Sequence, residues 1–268
     1  MRVIIGLLCL ICSSLSYANP SGLQTSTENR LGITAGYYYY REPSLNVVLD
    51  APLVGLDYSG TYALKNHWFL QADARFAYGQ ASYHGSGTQS NIPNWYYELR
   101  GLFGRDYVVQ DHVLAPYLGV GYRYLMDDQA GVTSTGSASY RRESNYWYIP
   151  VGVTHRMRFG SDRLETNLEF DYLIQGKQVS HLSDTVGKNG ISQFGDVTNT
   201  QRRGFGIKFS SQYQFEKWGV GPYLSYWNIA QSNTVNTNAT IDATQYQVRA
   251  YEPSNYTLEM GIRLSYRF

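Results

Sequence analysis

The sequence predicts an all-β fold, a closed antiparallel up-and-down transmembrane β-barrel, and three observations predict it. Apolar and polar residues alternate at a period of two through ten segments. The connections between those segments are short and long by turns. Beyond the N-terminus no window of about 18 apolar residues occurs, yet tyrosine and glycine are very common at 26 each. Only alternate residues of a barrel strand face lipid, which is how a chain with a mean hydropathy of −0.37 can still cross a bilayer. Ten strands is the expected count, with eight and twelve left open, and a secreted β-sandwich is the alternative. Helical folds are excluded, because apolar spacings of three and four are almost absent.

The chain opens on "MRVIIGLLCLICSSLSYA", with Arg2, an apolar run from Val3 to Ile11, and Ser16-Tyr17-Ala18 before Asn19. This is the layout of a secretory signal peptide cleaved after Ala18, so the expected organisation is a leader at 1–18 and one barrel domain at 19–268. Both cysteines, Cys9 and Cys12, lie in the leader, which leaves the mature chain without a thiol or a disulfide. Loss of Arg2 leaves 21 basic residues against 21 acidic ones, a net charge of zero. No generally basic surface exists to attract nucleic acid.

The expected strands are 30–41, 52–64, 67–83, 94–108, 112–126, 144–159, 164–178, 202–215, 218–229 and 255–268. Each puts apolar residues on one face, as with Leu31, Ile33, Ala35, Tyr37 and Tyr39 in the first. In the third, Trp68, Leu70, Phe76 and Tyr78 alternate with Gln71, Asp73 and Arg75. Connections near 65, 110, 161 and 216 are a few residues long, whereas 42–51, 84–93, 127–143, 179–201 and 230–253 are longer and polar. Short periplasmic turns and long outer loops are the asymmetry of an outer-membrane barrel. The alternation of Thr244, Tyr246 and Val248 against Gln245, Gln247 and Arg249 predicts a hairpin within the last loop. Tyr and Trp at strand ends, among them Tyr37, Trp68, Tyr97, Trp147 and Tyr256, fit headgroup-level belts.

The last strand carries Ile262, Leu264, Tyr266 and the final Phe268 on one face. That ending resembles the C-terminal signature by which the assembly machinery of Gram-negative bacteria recognises outer-membrane barrels. The stretches "YYREPS" (39–44), "LAPYLGVGYRYLMDD" (114–128), "YWYIPVGV" (146–153) and "EPSNYTLEMGIRLSYRF" (252–268) resemble a widespread family of uncharacterised outer-membrane β-barrel proteins. The resemblance implies an outer-membrane location and brings no activity with it.

The opposite strand faces put Asp57, Asp73, Arg75, Glu98, Arg100, Arg123, Glu169, Asp171, Lys208, Glu259 and Arg263 in the lumen. A barrel of about ten strands is too narrow for an aqueous channel, so these side chains are expected to meet across the axis as an ion-pair plug. A narrow gated pore and a ligand cavity are the alternatives. Glu259 and Arg263, beside Arg30 and Arg41 of the first strand, are expected to fix the closing register. Omptin proteases are ten-stranded too, but they need paired aspartates and an Asp-x-His, which His84 and "SHLSD" (180–184) do not supply. His181-Leu182-Ser183 matches the His-x-Ser of barrel lipid A deacylases weakly and off-strand. No catalytic, cofactor or metal residues are therefore expected, and the chain is read as a structural or surface-interaction protein rather than an enzyme. A small-solute channel is the second reading. Arg141 and Arg142 in the third loop are expected to meet lipopolysaccharide phosphates, and the outer-membrane lipid, the assembly machinery and an unknown surface ligand are the expected partners.

Overall fold

The computed structural model describes residues 22–268; the leader at 1–18, its cysteines and the expected mature start at Asn19 lie outside the described residues. Ten long strands form the barrel. They are β1 (Glu28–Glu42), β2 (Val47–Ala63), β3 (Trp68–Gly85), β4 (Gly87–Arg105) and β5 (His112–Asp127), then β6 (Arg142–Phe159), β7 (Asp162–Ser180), β8 (Gly204–Phe215), β9 (Trp218–Ile229) and β10 (Asn255–Arg267). Each pairs antiparallel with the next, and β10 closes on β1 from Arg30↔Arg267 to Arg41↔Tyr256. Closure leaves the barrel wall without a free edge, which suits a chain whose backbone must pair internally in lipid. No helix among the described residues is long and apolar enough to cross a membrane.

Alternation sorts the two faces. Leu31, Ile33, Val54, Leu56, Leu118 and Ile262 point outward and are exposed, forming the band that a bilayer would cover. Aromatic rings border that band at both ends. Trp95, Tyr124, Tyr97, Tyr122 and Trp147 form a chain of ring contacts at the long-loop end. Trp68 stacks on Phe103, and Trp218 meets Tyr266, at the short-turn end.

Two of the five expected long loops are strand instead. Segments 42–51 and 84–93 close in tight turns at 43–46 and at Ser86, and the strands on either side run on past the lipid band. There the polarity of the two faces inverts. Leu49, Ala51, Leu53, Ala77, Ala81 and Ile92 turn inward into a buried apolar cluster, while Gln80, Ser82 and His84 face outward. Above the membrane water lies outside the barrel, so the outward face becomes polar and such a stretch looks like a loop in sequence. The remaining long connections are real excursions. Residues 127–143 hold a small hairpin, Gly131–Val132 with Ala138–Ser139. The expected hairpin at 230–253 forms from Val235–Ile241 and Thr244–Ala250, and Ile191–Phe194 joins it as a three-stranded canopy.

Glycines admit rings flat against the lumen wall. A Cβ on Gly121 would collide with the ring of Tyr148, and one on Gly152 with the ring and hydroxyl of Tyr117. Gly121→Val is therefore expected to displace Tyr148 and lower stability by about 1–3 kcal/mol, read from urea unfolding of the refolded barrel.

Candidate functional site

The lumen is crossed by three tiers of charge. In the middle tier Arg100 of β4 donates through Nη1 to both oxygens of Glu169 on β7, at 2.6 and 2.8 Å, and through Nη2 to Asp73 of β3 at 2.7 Å. Lys208 of β8 donates to Glu98 of β4 at 2.7 Å and lies 3.1 Å from Asp171 and 3.3 Å from Glu169. Arg75 of β3 reaches Glu259 of β10 at 2.6 Å, and Glu259 also accepts from Tyr96 and Tyr223. Arg263 donates to Asp57 at 2.7 Å, and Arg123 lies over the Tyr96 ring at 4.4 Å. These are the side chains that alternation placed inward, and the structure brings them together. Partners on β4 and β8 stand on far sides of a ten-stranded wall, so each such bond spans the bore. Ions removed from water persist only when paired in this way.

The upper tier corrects one expectation. Arg142 points into the lumen, where it donates to Glu42 at 2.6 Å and lies 3.6 Å from Glu252 and 3.8 Å from Asp127. It shares the parity of Ser144 and Tyr146 on β6, so it is buried and cannot meet lipopolysaccharide. Arg141 is half-exposed, but its guanidinium grips both oxygens of Asp184 at 2.9 Å. Below this tier Tyr146, Tyr148, Leu173, Trp227 and Ile229 pack into a buried cluster that narrows the bore further.

The lower tier lies at the short-turn end. Arg30 donates to Glu165 at 2.6 Å and to Glu28 at 2.7 Å, while Arg156 reaches Glu165 at 3.0 Å and Asp106 at 3.1 Å. Thr25 donates its backbone and hydroxyl to Asp106, and Leu23 beside it is buried, so residues 23–25 lie across this mouth. Arg30 is therefore engaged by Glu165 and Glu28 and does not join Glu259 and Arg263 in fixing the closing register, as was expected. Arg41 faces outward, beside Tyr256 on the lipid side. The closing register is carried by the β1–β10 ladder itself. Between the lower and middle tiers lies a cavity of about 210 Å³.

Sequence reasoning missed Arg30, Glu42, Asp127, Arg142, Arg156 and Glu165 as network members. The signal was available, since each keeps the inward parity of its strand. Most stand near strand ends, where the reading assigned loop or rim.

Of the histidines, His181 sits at the outer rim between two carboxylates. Its Nε2 lies 2.7 Å from Glu143 and its Nδ1 2.9 Å from Asp196, while the Ser183 hydroxyl donates to Asp196 at 2.6 Å. Satisfying both carboxylates requires a proton on each nitrogen, so the ring is an imidazolium rather than a base aimed at Ser183. Burial works against that charge, but the bonds to Glu143 and Asp196 outweigh it and raise the His181 pKa above its usual 6.5. Asp184, bound by Arg141, is held below the usual carboxylate range. A raised histidine pKa stabilises below the unfolded value and loses that contribution as pH rises through the folded one. The clamp on the 181–203 loop should accordingly loosen as pH rises above about 6.5. Limited proteolysis of the loop should quicken over that range, and His181→Gln should remove the pH dependence.

No family model matches the sequence, and no curated protein matches it. Solved structures do match in fold. The outer-membrane protease OmpT from Escherichia coli superposes with a TM-score of 0.55 at 11% identity, covering 91% of this chain and 99% of that one. An outer-membrane channel from Pseudomonas putida F1 gives 0.44 at 12% identity, covering 94% and 100%. The toluene transporter TodX from Pseudomonas putida gives 0.37 at 9%, covering 91% and 89%. The fold is thus a closed ten-stranded barrel of the kind found in Gram-negative outer membranes. The expectation that the chain is not an enzyme is corrected by the first match: this frame is one that a protease also uses, so barrel architecture gives no ground for excluding catalysis.

Proposed function

We propose that the chain is an integral outer-membrane protein whose lumen is closed to solutes and whose action lies in its extracellular parts, as a structural or surface-interaction barrel. The observation that carries this reading is the bridging of non-adjacent strands across the bore, Arg100 on β4 to Glu169 on β7 and Lys208 on β8 to Glu98 on β4, between an upper and a lower tier of ion pairs. The canopy above it presents mostly uncharged polar residues, the exposed Tyr246 and the charges of Asp242 and Arg249, and loops on a barrel are the usual place for contact with partners. A small-solute channel is the second reading, favoured by the 210 Å³ cavity between the lower and middle tiers.

Replacing 233–251 with a short Gly-Ser turn removes the canopy and leaves the tiers intact. Proteoliposomes containing either form are expected to swell in sugar solutions no faster than protein-free ones. Swelling with the shortened form alone would make the canopy a lid over a pore and favour the channel.

A further inference from the structure

The five histidines have no metal-binding spacing in sequence, but the barrel brings two of them together. His112 opens β5 and His155 lies on β6, and the register places Leu114 opposite His155 and His112 opposite Met157. The two are diagonal neighbours on the outward face near the short-turn end. The Nδ1 of His112 and the Nε2 of His155 are 3.0 Å apart, and the rings stack with centroids 5.0 Å apart. Both are partly accessible to solvent.

We propose that His112 and His155 form a two-imidazole site for a borderline transition-metal dication of the Zn²⁺, Ni²⁺ or Cu²⁺ class. Imidazole suits these ions, and a Zn–N bond of about 2.0–2.1 Å in tetrahedral geometry sets its nitrogens about 3.3 Å apart. The observed pair needs to open by a few tenths of an ångström, and the rings must turn so that both lone pairs converge on the ion instead of on each other. The ladder between β5 and β6 fixes both backbones, so little freedom is lost on binding. In the apo pair one nitrogen donates to the other, and binding requires both to be bare. The bridging proton moves to the far nitrogen of its own ring, and a singly charged pair releases one proton to solvent. Among the described residues no group of three or more His, Cys, Asp or Glu is placed to hold a metal, so water fills the remaining positions. This is an open site, suited to exchange or to completion by a ligand from a partner.

The test is equilibrium titration of refolded, tag-free full-length barrel in detergent with Zn²⁺, against a chromophoric chelator. One equivalent should bind, more weakly as pH falls. His112→Ala and His155→Ala should each weaken binding at least about ten-fold, since loss of a mere outer-shell partner already costs 10–100-fold. His67→Ala should change nothing. Heat-modifiable migration of each variant shows that it is folded. Absence of binding by the folded wild type, or equal binding by wild type and the His112→Ala/His155→Ala double variant, would overturn the proposal.

Discussion

Glu169→Ala is expected to destabilise the barrel by about 3–5 kcal/mol, measured by urea unfolding in phospholipid vesicles. The Glu169 side chain is fully buried and holds Arg100 by two hydrogen bonds, with Lys208 3.3 Å away and the Tyr117 hydroxyl donating at 2.7 Å. Removing it leaves two cations and one hydroxyl short of an acceptor in the middle tier of the lumen. Most of the cost is the desolvation of those stranded groups rather than the lost attraction. Two checks follow from this. Glu169→Gln keeps the shape and one acceptor, so it should cost less. Removing the ions together, as in Glu169→Leu/Arg100→Met/Lys208→Met/Asp171→Leu/Asp73→Leu, should recover much of the loss, because Glu98 then keeps Arg123 as its partner and no cation is left stranded.

Arg142→Met should be nearly as damaging and should act on the opposite half of the molecule. One guanidinium there serves Glu42, Glu252 and Asp127, with the Tyr40 hydroxyl donating to Glu42 at 2.6 Å and lying 3.2 Å from Glu252. Without it three buried carboxylates face one another, and a cost of about 3–5 kcal/mol is expected at neutral pH. Glu252, in the loop before β10, is already pushed up to about 7, by burial first and by the nearby Glu42 and Asp127 carboxylates with it. A carboxyl with a raised folded pKa stabilises below its unfolded value and loses that contribution as pH rises through the folded one. In wild type this group should therefore reduce stability as pH climbs from about 4.5 to about 7. Glu252→Gln should flatten the dependence. In Arg142→Met the slope should steepen, since the opposing cation is gone. The check is the urea midpoint measured from pH 4.5 to 8.

The middle of each strand was legible because one physical rule governs it: lipid outside and a packed polar bore inside force strict alternation. That rule assigned the inward side for Asp73, Arg75, Glu98, Arg100, Glu169 and Lys208 from sequence, and it matched their position in the structure. The rule changes above the membrane. There Leu49, Ala51 and Leu53 turn inward while the outer face meets water, so 42–51 and 84–93 read as loops. Arg142 was misplaced for the same reason, since a strand that continues beyond the lipid band looks like an exposed loop end. Partner choice was less legible than facing. Arg30 stands opposite Arg267 on the closing ladder, four and eight residues away from Arg263 and Glu259, and it bonds to Glu165 on β7, because the side chains cross the bore instead of running along it. The His112–His155 pair was hidden because a diagonal neighbour on the next strand leaves no fixed spacing in sequence.

The central claim is that the tiers close the bore. Single-channel recording of the refolded protein in a planar bilayer tests it most directly, with insertion verified by protease protection. Wild type should give no conductance steps. Steps should arise once Arg100→Ala/Glu169→Ala and Arg142→Ala/Glu42→Ala are combined to thin two tiers. Steady steps from the wild type, with an ion selectivity that shifts when Arg123 or Glu169 is neutralised, would contradict it and make the protein a channel.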